Sequence, residues 1–104
     1  MDHLRGRAAF KPGSNRIHYS VVTRAELFAG KGADEKAVTL LLAPFTEISI
    51  DRSIAESAGR IRRQTGIAMP DALIAATATA RGLSLMTGNE RHFKLVKGLR
   101  VRTP

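Results

Sequence analysis

Apolar and polar positions along this chain fall into blocks that alternate between the period of a strand and the period of a helix. Ile17-His18-Tyr19-Ser20 reads as a short strand. Ser20 is placed to cap a helix from Val21 to Ala29, in which Val22, Ala25 and Phe28 share one face and Gly30 and Gly32 end the run. A second helix is predicted from about Asp34 to Leu42. After Pro44, Phe45-Thr46-Glu47-Ile48-Ser49-Ile50 alternates as a strand does, and Asp51 then caps a helix from Ser53 to about Thr65 whose Ile54, Ala58 and Ile61 mark the buried face. Gly66 ends that helix, Pro70 opens an Ala-rich one, and Gly82 closes it after Arg81. Leu83-Ser84-Leu85-Met86 is a short buried strand, Thr87-Gly88-Asn89 a turn, Arg91-His92-Phe93 a brief helical turn and Leu99-Arg100-Val101 a last strand. Before all of these, Asp2 to Arg5 fits the last turn of a helix and Gly6 to Arg16, with Pro12-Gly13-Ser14-Asn15, a loop. Strands separated by helices imply parallel pairing, so the expected class is α/β with the sheet covered on both faces.

Length and composition narrow the picture. The 104 residues make one domain, 1–104, with room for a single core, and 43% hydrophobic residues is ordinary for a folded protein. With no Cys, thiol nucleophiles, disulfides and the usual zinc sites are excluded. No apolar run approaches a membrane span and no secretory signal opens the sequence, so the expected location is cytoplasmic, without a membrane. Lys and Arg total 17 against nine acids, a net charge of +8, which favours a polyanionic partner such as nucleic acid. One Tyr and four Phe leave little for base stacking.

Candidate chemistry centres on Asp71, the one acid between Glu56 and Glu90, set between Pro70 and a run that should be buried. In the first turn of a helix, free N–H groups and the helix dipole favour a negative charge, so a capping role and a metal-binding role both account for it. In open α/β sheets, ligands bind beyond the carboxyl ends of the strands. Glu26 falls there, in the helix after the first strand, as do Asp71 and the Thr87–Asn89 turn. Taken alone, Glu26 reads as a solvent-facing side chain.

Three segments in order, Ser20-Val-Val-Thr-Arg-Ala-Glu26-Leu-Phe-Ala-Gly30, Met69-Pro-Asp71-Ala-Leu-Ile-Ala-Ala-Thr-Ala78 and Leu85-Met-Thr87-Gly-Asn89-Glu-Arg-His-Phe93, resemble the PIN-domain toxin ribonucleases of the VapC type. The ending Val96-Lys97-Gly98-Leu99-Arg100-Val101 is similar too, and the likeness covers roughly residues 17 to 102. It implies a three-layer α/β/α fold with a parallel sheet, and an endoribonuclease dependent on Mg2+ or Mn2+ in which clustered carboxylates hold the metal. It further implies an RNA substrate, an antitoxin that blocks the acidic pocket, and a homodimer. By position Glu26 and Asp71 match the family's second and third acids and would hold the metal. Thr87 matches its small hydroxyl residue, and Asn89 stands where many relatives carry a fourth acid. Asn offers only a neutral carbonyl oxygen. His92 falls where relatives often have Asp and reads as a capping or exposed residue. Arg24, Arg62, Arg63 and Arg91 are candidates for an RNA path on charge alone.

The N-terminus departs from the family pattern. The family begins with an apolar strand that ends in its first catalytic Asp and is followed by a helix finishing in a segment like Asp2-His3-Leu4-Arg5-Gly6. The present sequence starts at that finish, so the resemblance implies a sheet without its first central strand and a site with two of four acids. Loss of a central strand would leave its neighbours unpaired, so a start assigned downstream of the true one is the expected explanation. The main functional expectation is a toxin ribonuclease. The alternatives are a catalytically impaired remnant that binds RNA or antitoxin, and a small α/β module for protein assembly.

Overall fold

The structure, a computed structural model, describes residues 7–103. The expectation of a helical turn over Asp2 to Arg5 lies outside them. The described residues form, in order, β1 (Ala8–Phe10), β2 (Ile17–Ser20), α1 (Val21–Phe28), α2 (Glu35–Leu42), β3 (Thr46–Ile48), α3 (Arg52–Thr65), α4 (Met69–Ala80), β4 (Ser84–Met86), α5 (Glu90–Phe93) and β5 (Val101–Arg102).

Local signals account for most of these boundaries. Ser20 accepts a hydrogen bond from the Val22 N–H at 3.2 Å, and Asp34 and Asp51 cap α2 and α3 through Ala37 and Ile54. Gly66 ends α3 at φ 77°, a left-handed conformation that a Cβ would strain, and Arg62 Nη1 donates to the Gly66 and Ile67 carbonyls just beyond. In α4 the N-cap is Ala68, which has no side-chain acceptor, and Pro70 occupies the first turn, where its missing N–H costs nothing.

The strands align in the order β3-β2-β1-β4-β5. β2 with β3 and β4 with β5 are parallel, whereas β1 is antiparallel to both β2 and β4. Four strands therefore run one way and the central one runs against them. This corrects two expectations: the segment read as loop from Gly6 to Arg16 contains a strand, and the sheet is mixed. The central position is also filled. Ala8 pairs with Tyr19 on one side and Met86 on the other, so the inner edges of β2 and β4 are both satisfied. The reversed direction follows from the connection. Residues 11–16 join β1 to β2 as a short hairpin, closed by the Ser14 N–H on the Lys11 carbonyl at 2.9 Å, and so short a link can only join antiparallel neighbours.

Alternate residues of the sheet feed two cores. Ala8 and Tyr19 pack with Leu42, flanked by Ile17, Leu27, Val38 and Phe45, under α1 and α2. On the opposite face Ala9, Ile48, Ala78 and Leu83 form one cluster, and Leu85 joins Ile54, Ala58, Ile61, Ala72, Ala75 and Phe93 in a larger one, with α3 lying against α4. Helices thus cover both faces, as the resemblance implied. In α1 the expected face is partly wrong: Ala25 is exposed and Thr23 is the buried residue, because the helix lies against α2 and α4 at once.

Candidate active site

Glu26 and Asp71 are brought to one place by the way α1 and α4 begin. β2 passes into α1 at Ser20 with no intervening loop, so Glu26 lies in the second turn beyond the carboxyl end of that strand. α4 starts at Met69, which puts Asp71 in its first turn, and α1 packs against α4.

A third residue joins them. Arg7 donates from Nε to Oε1 of Glu26 at 3.2 Å and from Nη2 to Oε2 at 3.4 Å, and the same Nη2 lies 3.4 Å from Oδ1 of Asp71. The planar fork of a guanidinium suits a carboxylate in this two-pronged way. The topology explains why Arg7 is available: β1 runs against its neighbours, so its N-terminal end lies beside the carboxyl ends of β2 and β4. Ala8 faces Tyr19 and Met86, which sets Arg7 level with Ser20 and Thr87. Asp71 is the more protected of the two acids, with 16% of its side chain exposed against 36% for Glu26. Asp71 spends its charge on Arg7. It is in the first turn of α4, where the dipole favours it, without being the N-cap residue.

Thr87 is buried, and its Oγ1 accepts the Asn89 N–H at 3.0 Å while its own N–H donates to the Arg102 carbonyl at 2.9 Å. It therefore shapes the turn after β4. Asn89 is exposed, with Nδ2 3.3 Å from Nδ1 of His92. Among the described residues no hydrogen bond joins Thr87 or Asn89 to Glu26 or Asp71. Sequence reasoning missed Arg7; the signal available was the apolar triplet Ala8-Ala9-Phe10 directly after it, bracketed by Arg7 and Lys11.

Of the four cations considered for an RNA path, two are engaged elsewhere. Arg24 pairs with Glu47 and donates to the Tyr19 hydroxyl at 3.1 Å, and Arg62 holds the end of α3. Arg63 and Arg91 are exposed. At the opposite end of the sheet, Lys11, Arg16, His18 and Arg81 line a pocket of about 560 Å³. Burial, reinforced by Arg16 and Arg81, lowers the pKa of His18 and keeps its ring neutral near pH 7.

One guanidinium touches oxygens of both acids, so a single cation can be shared between them. Two carboxylates are also a donor set that a magnesium-type ion accepts, since it keeps several of its waters and completes its shell with substrate phosphate. Among the described residues no group of three or more His, Cys, Asp or Glu comes together. The pair fits such an ion in donor type and number.

Comparison with known proteins identifies the family. The PIN domain family model matches residues 4–99. The chain is 34% identical over 110 residues to ribonuclease VapC10 of Mycobacterium tuberculosis, an alignment covering 94% of this chain and 83% of that protein. Among solved structures, a toxin–antitoxin complex from Klebsiella pneumoniae contains a chain 34% identical, with a TM-score of 0.70 over 82% of this chain and 71% of the other. VapBC-1 from nontypeable Haemophilus influenzae, 24% identical, superposes with a TM-score of 0.73 over 86% and 76% of the two chains, a likeness of fold. The chain belongs to the PIN-domain family, and within it to the VapC type.

Proposed function

We propose that this chain is the endoribonuclease toxin of a toxin–antitoxin module, hydrolysing RNA phosphodiesters at the Glu26–Asp71 end of the sheet with Mg2+ or Mn2+. The observation that carries the reading is the convergence of Glu26 and Asp71 on one cation beyond the carboxyl ends of β2 and β4, in a chain 34% identical to a protein named a ribonuclease. When bound, the divalent ion supplies an activated water and neutralises charge on the phosphate. Asp71 and Glu26 hold it. Thr87 fixes the turn that carries Asn89, whose amide offers a neutral oxygen and a donor to substrate or water at the same edge. The net charge of +8 draws RNA toward the molecule.

The antitoxin partner follows from the likeness to the Klebsiella complex, and an Arg of that partner would suit the carboxylates as Arg7 does. A homodimer and a cytoplasmic location complete the reading. Among the described residues no helix is long and apolar enough to cross a membrane.

Incubation with single-stranded RNA tests the proposal. Cleavage is expected with Mg2+ or Mn2+, to stop with a chelator and to return when metal is added back; cleavage indifferent to chelation would contradict it. Asn89 in place of an acid, together with Arg7 on the carboxylates, favours a second reading, an impaired PIN chain that binds RNA or antitoxin. Salt-sensitive RNA binding with no cleavage under either metal would select that one.

A further inference from the structure

We infer that Arg7 is a built-in counter-cation of the Glu26–Asp71 pair, which a divalent ion must displace in order to enter; the inference rests on the metal reading of that pair. Arg7 is the cation within ion-pair distance of both acids among the described residues, and it contacts the two of them with one group. Two carboxylates that meet at one guanidinium nitrogen repel each other, and the positive charge between them offsets that repulsion in the absence of metal. The guanidinium is also held in place. Arg7 directly precedes β1, and Ala8, the next residue, is paired in register with strands on both sides and is 2% exposed. The side chain therefore searches a small volume, so its effective concentration at the acids is high. A divalent ion carries twice the charge and binds both carboxylates as oxygen ligands, and it gains the site at the cost of the Arg7 contacts.

Binding of Mn2+ alone, followed by loss of the electron paramagnetic resonance signal of the free ion, tests the inference without any turnover. Wild type, Arg7→Gln, Arg7→Lys and the combinations of wild type and Arg7→Gln with Asp71→Asn are compared, with thermal melts run beside them. Arg7→Gln should tighten Mn2+ by roughly two- to fivefold, the scale of one partly exposed ion pair. Arg7→Lys, which keeps the charge but not the fork, should fall between Gln and wild type. Asp71→Asn should abolish binding in either background. Equal affinity of wild type and Arg7→Gln, both lost on Asp71→Asn, leaves the metal reading standing and overturns the inference. Binding unchanged by Asp71→Asn, or absent from every variant, overturns both. Should Arg7→Gln melt below the assay temperature, Arg7→Lys decides: tighter than wild type supports the displaced cation, equal to wild type overturns it.

Discussion

Glu26 and Asp71 sit on different helices and share one guanidinium nitrogen, Nη2 of Arg7, at 3.4 Å from an oxygen of each. The contact is local and partly exposed, so neither acid is a pillar of the fold. Glu26→Gln and Asp71→Asn should each change unfolding free energy by less than about 1 kcal/mol, measured from the denaturant midpoint at constant m-value. A larger loss in either variant would mean that the pair has a structural role beyond the site.

The stabilising polar cluster lies elsewhere. Tyr19 is 1% exposed, donates its hydroxyl proton to Glu47 Oε1 at 3.1 Å and accepts from Arg24 at 3.1 Å. Tyr19→Phe keeps the ring in the core and removes both bonds, so it should cost about 1–2 kcal/mol by chemical denaturation. Because the cluster joins β2, α1 and β3 and leaves Glu26 alone, Mn2+ affinity should be unchanged in this variant.

Two groups contribute to the acid limb of stability, in separate windows. His18 has its pKa lowered below the ordinary 6.5, first by burial and then by Arg16 and Arg81. The unfolded chain therefore takes up a proton there that the folded one resists, and stability falls as pH drops from about 6.5 toward the folded value. Glu47 has its pKa lowered below the ordinary 4.5, chiefly by the hydrogen bond from Arg24 with help from Tyr19. Its contribution is complete above about 4.5 and is lost as pH falls through the lower folded value. Melts between pH 7 and 3 should show both losses. His18→Gln should flatten the upper window and Glu47→Gln the lower.

How far the molecule could be read from its sequence depended on how each element is specified. Helices announced by caps were legible to within a residue or two: Asp51 and Gly66 bracket α3 both in the sequence pattern and in the structure. The residues of the motifs, Glu26 and Asp71, were legible as a pair only through the family likeness, since their meeting depends on how α1 packs on α4. β1 was not legible, because three residues carry no period and because its placement answers a need of β2 and β4, whose buried inner edges lack partners without it. Arg7 was missed with it, since the apolar triplet Ala8-Ala9-Phe10 that follows it was read as loop. The exposed Ala25 shows the limit of periodicity in a short helix that touches two neighbours.

On the proposed function, Glu26 and Asp71 form a metal-dependent RNA-cleaving site. The most direct measurement is the Mn2+-dependent cleavage rate of a single-stranded RNA by wild type and by Asp71→Asn, a change that preserves shape and removes the charge. Wild-type cleavage that rises with Mn2+, and a loss of at least about a hundredfold in Asp71→Asn with its melting curve intact, is the predicted result. Equal rates in the two proteins would contradict it.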